Sequence, residues 1–473
     1  MCSIAGMIDT GRDVRALDLS EMRDAMRSRG PDQCGQYRDA SAALFHHRLC
    51  VIDPQNGRQP MLLHRDGTQA VLVYNGELYN TPELRSALRA LGHSFTGHSD
   101  TEVLLHAYAE WGEGCLERLN GIFAFAVWEP EKKRLFCARD RMGVKPFFFA
   151  ERKGAFLFAS ELKGLLAHPW VEAEADRDSV LELLLTGPGR TPGCGVFRGL
   201  RELPPAYCGV FDENGLRLRR YWKLTPREHT ESEADTVAHV RQLVSDAIER
   251  QLVSDVPIGT FLSGGLDSGV ISSVVNRYMR ERGQRLVTFS VDYTDNRKYF
   301  TAGKFQPNTD TDFIPGLRDW LDCENVLVTL DMEELADALF EAVEARDLPG
   351  MADVDSSMLA FCKRIRKHVT VALSGECADE IFGGYPWFRD ETIRAAEGFP
   401  WAQSTMYRAA FLRPEWLAGV DPREYVMERY RRTVEDTESL PADSPADRRT
   451  REMTRLNTDW FMQTLLDDKV IYS

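Results

Sequence analysis

No apolar run in the chain approaches the roughly 18 residues that a membrane-crossing helix needs, and the N-terminus lacks the basic-then-apolar layout of a signal peptide. A cytoplasmic protein with no membrane partner is the expectation. Positive charge is in deficit: 58 Lys and Arg face 73 Asp and Glu, a formal net charge of -15. That balance argues against a general polyanion binder, so nucleic acid is not an expected partner. The ten cysteines include no C-x-x-C pair, which suggests neither a zinc site nor a thioredoxin-like motif. Most of them read as small buried hydrophobes in a reducing compartment.

What is present is the composition of a folded protein, 43% hydrophobic and 28% charged, over 473 residues. That length exceeds one ordinary core and implies two domains. The Gly- and Pro-rich segment 187–205 and the polar segment 226–234 flank a change of rhythm, which places the boundary near residue 220. Before it, segments 3–9, 42–53, 69–74, 122–128, 134–139, 146–149 and 155–159 are strand-like by β-branched and aromatic content. Segments 82–91 and 102–111 fit helices. The pattern is mixed and mostly antiparallel. After the boundary, strands at 256–262, 285–292, 324–330 and 369–373 alternate with helical stretches. Such alternation implies a parallel sheet covered on both faces, with ligands at the carboxyl ends of its strands.

Cys2 follows Met1, and removal of the initiator would give this cysteine a free α-amine. An α-amine has a reference pKa near roughly 8 and can act as base toward its own thiol. Downstream polar motifs sit at strand ends and turns. Arg29-Gly30-Pro31-Asp32 is a turn signal with a charge on each side. Arg48 offers a guanidinium for a carboxylate, or for a protein carboxylate such as that of Asp53. Asn75-Gly76-Glu77 follows an apolar strand and reads either as a hairpin turn or as an oxyanion-binding sequence. Asp100, in Ser99-Asp100-Thr101-Glu102, reads either as a helix cap or as a partner for a substrate ammonium.

These motifs, with Met-Cys-Ser-Ile-x-Gly at the start, occur in the order found in class II glutamine amidotransferases, and residues 1–220 resemble that family. The resemblance implies an α+β N-terminal-nucleophile hydrolase sandwich in which Cys2 attacks the side-chain amide of glutamine. It further implies that Asn75 and Gly76 form the oxyanion hole, and that Arg48, Ile52, Asn75, Glu77 and Asp100 hold the glutamine.

In the second half, Ser263-Gly264-Gly265-Leu266-Asp267-Ser268 lies between an apolar strand and a helix. Small residues there let backbone N–H groups approach a phosphate at a helix start. The loop matches neither the G-x-x-x-x-G-K-[ST] nor the G-x-G-x-x-G pattern. It resembles the pyrophosphate loop of ATP pyrophosphatases. A second loop, Ser374-Gly375-Glu376-Cys377-Ala378-Asp379-Glu380, resembles the asparagine synthetase signature. Residues 221–473 are therefore expected to form an α/β parallel-sheet ATP-pyrophosphatase (PP-loop) domain. The resemblance implies ATP held by Leu262, Ser263, Gly264, Gly265, Asp267, Ser268, Val291, Ser374 and Gly375. Glu376 and Asp379 are candidate Mg²⁺ ligands, since clustered carboxylates with phosphate oxygens suit that ion. Cys377 stands where many relatives carry Gly.

Together the halves resemble glutamine-hydrolysing asparagine synthetases, which implies aspartate as acceptor, β-aspartyl-AMP as intermediate and a homodimer. Two departures keep other readings open. The family usually continues beyond a segment like 460–473 through an Arg-Val-Pro-Phe-type motif, and Lys469 matches a phosphate-contacting lysine only in a poor context. Residues 350–357, at the acceptor position, also differ from the best-known aspartate-binding stretch. An amidotransferase for another carboxylate, a glutaminase with a disabled synthetase half, and a nucleotide-sensing scaffold are the alternatives.

Overall fold

Aromatic and β-branched residues between turns build the strands of the first unit. They are β1 (Ser3–Ile8), β2 (Gln33–Arg38), β3 (Ala42–Arg48), β4 (Met61–Arg65), β5 (Thr68–Leu78) and β6 (Gly121–Glu129), then β7 (Arg134–Arg139), β8 (Phe148–Arg152), β9 (Ala155–Ala159), β10 (Arg201–Glu202), β11 (Tyr207–Asp212) and β12 (Gly215–Arg220). The computed structural model describes residues 1–65, 67–303 and 308–466. Lys469 lies outside them. The strands pair antiparallel into two six-stranded sheets, ordered β10-β8-β9-β1-β3-β2 and β12-β11-β7-β6-β5-β4.

Strand β5 decides how these sheets are covered. Side chains alternate along a strand, so Val71 and Val73 join Ile4, Leu44 and Trp128 in one core cluster. Leu72 and Tyr74 join Leu84, Leu88 and Val103 in a second cluster. The first is the sandwich interior; the second packs the outer face against helices Thr81–Ala90 and Asp100–Trp111. The strand also runs beyond the predicted end at residue 74, and Asn75-Gly76 is extended strand paired with Ala124 and Phe123. The hairpin-turn alternative for that dipeptide is therefore excluded.

The first compact unit comprises Met1–Leu224 and the returning segment Ser404–Arg429. Arg408 donates to the carbonyls of Leu184 and Leu185 at 2.9 and 3.0 Å. These carbonyls end helix Arg177–Leu185, where a cation complements both the open acceptors and the helix dipole. Within that helix the buried Glu182 carboxylate accepts from Tyr425 Oη and Arg429 Nε, both at 3.1 Å.

The second unit comprises Thr225–Gln403 and, from Tyr430, the remaining described residues. Its strands β13 (Ile258–Phe261), β14 (Val287–Tyr293), β15 (Glu324–Leu330) and β16 (Val371–Leu373) are parallel, in the order β15-β14-β13-β16. Val274, Val275 and Met279 of helix Leu266–Arg280 belong to one core cluster, and Phe361 and Ile365 of helix Ala352–Ile365 belong to another with Phe289 and Val328. The sandwich of N-terminal-nucleophile hydrolase type and the ATP-pyrophosphatase type of parallel sheet are thus both present. No helix among the described residues is long and apolar enough to cross a membrane.

Glu182→Ala should destabilise the first unit by about 2–3 kcal/mol, because it removes the acceptor from charged and neutral donors together. Urea unfolding checks this, and an unchanged midpoint would refute the clamp.

Candidate functional site

Cys2 lies immediately before β1, whose first residue, Ser3, pairs with His47 of β3. Its Sγ donates to the Leu49 carbonyl at 3.6 Å. Its own carbonyl accepts from Arg29 Nε at 3.0 Å, and Arg29 Nη1 reaches Glu161 at 2.7 Å. The Arg29 and Glu161 side chains are only 4% and 5% exposed. Arg29 therefore anchors Cys2 from within the protein, and its partner is Glu161 instead of Asp32 in the turn. Burial pushes the Cys2 thiol above its ordinary value, while the N-terminal charge on Met1, a backbone hydrogen bond at Leu49, Arg48 and Lys145 act in the opposite direction.

The strand period places Asn75 and Glu77 on the face of Val71 and Val73, toward the other sheet. Asn75 is buried, and its Nδ2 has no hydrogen-bond partner. A buried unsatisfied donor costs about 1–3 kcal/mol, so an acceptor arriving there meets a donor already aimed and dry. Tyr74 is fixed by side chains: Gln59 exchanges hydrogen bonds with its N–H and C=O at 2.6 and 3.1 Å, and His46 Nε2 lies 3.0 Å from the same carbonyl. Gly76 has no room for a side chain, because a Cβ would lie 2.3 Å from the Ile122 carbonyl and 2.5 Å from the Tyr74 ring.

Asp100 is the first residue of its helix, and Ser99 is the cap. The Asp100 carboxylate instead accepts from Tyr74 Oη at 2.9 Å and Leu78 N at 3.1 Å. Burial raises its pKa, with those hydrogen bonds opposing. Glu77 is pushed up to about 7 by burial, and nearby Lys145 pulls it back. Arg48 does not pair with a protein carboxylate; its Nη2 holds the carbonyls of Ile52 and Asp53 at 2.6 and 2.9 Å, and Nη1 holds Gln33 Oε1 at 3.0 Å. Arg48 thus shapes the loop that carries Ile52.

Lys145 is a residue that the motif reading passed over. It is 7% exposed and sits on a turn tied by two neighbours. The Asp140 carboxylate accepts from the amides of Phe123, Met142, Val144 and Lys145 at 3.0–3.1 Å. Arg139 holds the carbonyls of Gly143, Lys145 and Leu203. The available signal was a lysine in a polar turn joining two strands that are otherwise apolar.

In the second unit both Ser-Gly loops leave the carboxyl ends of neighbouring strands, β13 and β16. The strand order reverses between these two, the point where open parallel sheets form a ligand crevice. A cavity of about 300 Å³ lies there, lined by Leu262, Ser263, Gly265, Asp267, Ser268, Val291, Ser374, Gly375, Glu376 and Asp379. Helix Leu266–Arg280 begins earlier than the sequence suggests, so Asp267 and Ser268 occupy its first turn. Ser268 Oγ accepts from Ser263 N at 3.2 Å and donates to the Gly265 carbonyl at 3.2 Å, closing the loop upon itself. Gly264 takes a left-handed φ of +82° and does not line the cavity. Its role is the turn that only glycine adopts freely. Cys377 also adopts a left-handed φ, of +71°, which is why glycine suits that position. Asp310, Met358, Phe361 and Tyr385 also line it; no motif marks the first three in sequence.

Burial raises the Asp379 carboxyl pKa, and the like charges of Asp267 and Glu376 raise it further. Such crowding fits a divalent cation held by one or two carboxylates with phosphate oxygens. Among the described residues no three His, Cys, Asp or Glu side chains form a metal cage by themselves. Because a carboxyl with a raised native pKa holds its proton more tightly folded than unfolded, its ionisation above roughly pH 4 costs stability. Burial also raises the Asp267 carboxyl pKa, so Asp267→Asn should stabilise the second unit at pH 7 by about 0.5 kcal/mol, a gain kept small by solvent screening. The gain should vanish by about pH 3, which urea unfolding at both pH values tests.

Comparison with known proteins divides the chain along similar lines. The glutamine amidotransferase domain family matches residues 1–222 and the asparagine synthase family matches residues 239–471. Asparagine synthetase [glutamine-hydrolyzing] 3 of Bacillus subtilis is 46% identical over 472 residues, which cover 99% of this chain and 76% of that protein. Asparagine synthetase [glutamine-hydrolyzing] 1 of the same organism is 32% identical over 89% of this chain and 65% of its own length. A putative asparagine synthetase [glutamine-hydrolyzing] 2 of Methanocaldococcus jannaschii is 31% identical over 81% and 76%. Among solved structures, a glutamine phosphoribosylpyrophosphate amidotransferase from B. subtilis aligns at 15% identity with a TM-score of 0.37, covering 70% of this chain and 81% of that one. That alignment is too distant to bear on function. The sequence identity maintained through both halves shows that this chain belongs to the glutamine-hydrolysing asparagine synthetase family and is a ligase of that type.

Proposed function

We propose that residues 1–220 hydrolyse glutamine at Cys2 and that residues 221–473 use ATP to activate a carboxylate, aspartate by the family's standard, for amidation. The Cys2 thiolate attacks the γ-amide carbon, ammonia leaves, and water releases glutamate from the γ-glutamyl thioester. Asn75 Nδ2 and the Gly76 amide receive the developing oxyanion, a task suited to a preorganised donor in a dry site. Arg48 and the backbone at Ile52 orient the glutamine carboxylate, while Glu77 and Asp100 face its ammonium. In the second unit the carboxylate attacks the α-phosphorus of ATP, giving β-aspartyl-AMP and pyrophosphate. Ammonia then displaces AMP and forms asparagine. Mg²⁺, when bound, neutralises phosphate charge, and Glu376 and Asp379 beside Asp267 would hold it.

The observation that carries this reading is the cavity at the strand-order reversal, because both Ser-Gly loops line it. The unpartnered Asn75 amide supports the glutamine half.

Pyrophosphate, AMP and asparagine should form in step when the chain receives Mg-ATP, glutamine and aspartate. Cys2→Ala should abolish glutamine use but leave ammonia-dependent synthesis intact; glutamine-dependent synthesis at the wild-type rate would defeat the nucleophile assignment. Release of pyrophosphate only with a different carboxylate would reassign the acceptor. Glu77 binds an ammonium only when ionised, and its pKa is about 7. The KM for glutamine should accordingly rise by up to about tenfold per unit below pH 7, and Glu77→Gln should raise KM at pH 8 and flatten that dependence.

A further inference from the structure

Lys145 is a buried cation whose hydrogen-bond partner is a thioether: Nζ lies 2.6 Å from Sδ of Met1. A thioether is a weak acceptor, and a buried ammonium normally pairs with an oxygen or a carboxylate. The position is nevertheless built with care, because Arg139 and Asp140 fix the backbone of its turn from both sides. The residue that Lys145 touches is the one whose removal frees the α-amine of Cys2.

We propose that Lys145 is a positioning residue for glutamine hydrolysis, its ammonium holding the processed Cys2 amine unprotonated and the thiolate stable. This inference rests on Cys2 being the nucleophile. A base must be unprotonated to act, and a free α-amine is roughly half protonated near pH 8. A fixed positive charge beside it disfavours a second positive charge and favours a thiolate, so one cation improves both partners. Lys145 and the Cys2 thiol already interact electrostatically with Met1 in place.

The charges around Lys145 come from several elements. Burial lowers its pKa; Glu77 of β5, Cys2 and Asp140 of its own turn act to keep it charged, and Arg29 beneath Cys2 opposes them. Arg48 of β3 acts on the thiol in the same sense as Lys145, and Asp100 acts on Glu77. Arg48 and Arg29 are engaged with backbone carbonyls and Glu161, whereas the head of Lys145 is directed at residue 1.

The test uses the processed full chain, with loss of Met1 verified by mass. Iodoacetamide alkylation of Cys2 without glutamine, followed by mass from pH 5.5 to 9.5, reads the thiol–amine pair apart from substrate binding by Glu77. The wild-type midpoint is the reference for the variants. Lys145→Gln and Lys145→Met should move it up by about one unit, reducing alkylation and kcat at saturating glutamine about tenfold at pH 7. Both should recover at high pH, and Lys145→Arg should restore the wild-type profile. A midpoint unmoved in a folded neutral variant overturns the assignment. Glutaminase activity surviving in Cys2→Ala would instead sink the nucleophile reading itself, so the two failures are separable.

Discussion

The first unit depends on β5 being buried on both faces. A strand with one wet face would have a place in water for every second side chain; this one has none between Val71 and Tyr74. Continuing the same period for three more residues carries Asn75 and Glu77 inward with the apolar residues. The fold accepts an unpaired amide and a carboxyl of high pKa because the surrounding hydrogen bonds and apolar packing leave those groups nowhere else to go. Gln59 and His46 meet the needs of the Tyr74 backbone immediately before Asn75-Gly76.

Burial then acts as a common control of charge around Cys2. The same desolvation raises the thiol, Glu77 and Asp100 and lowers Lys145, so each charged form depends on an opposite charge or on hydrogen bonds to it. Arg48 illustrates the division of labour. Its guanidinium is occupied by backbone carbonyls, so it acts through the shape and field of the Ile52 loop.

The second unit has a different logic, set by topology. The order β15-β14-β13-β16 separates the connections on either side of β13 and opens a crevice at its carboxyl end. Two loops over a hundred residues apart in sequence meet there, and the carboxylates of Asp267, Glu376 and Asp379 are crowded together. That crowding is unfavourable in the protein alone and becomes favourable when cationic charge and phosphate arrive, a conflict between local stability and function that such sites commonly show.

The sequence by itself determined the two fold types, because strand and helix periods and the placement of Ser263–Ser268 after an apolar strand are local properties. It also marked Cys2, Asn75, Glu77, Asp267 and Asp379 as candidates, because each stands in a short motif of small and polar residues. Only the tertiary structure decided that Asn75-Gly76 is strand and not turn, since pairing with β6 and packing on both faces override the turn preference of that dipeptide. The tertiary structure likewise gave Arg29 to Glu161 and Arg48 to the Ile52 loop. It brought in Lys145 and Asp310, and folded Ser404–Arg429 back onto the first unit. These are long-range outcomes: a charge declares its sign in the sequence, but its partner is chosen by which chain segments burial brings within about 3 Å.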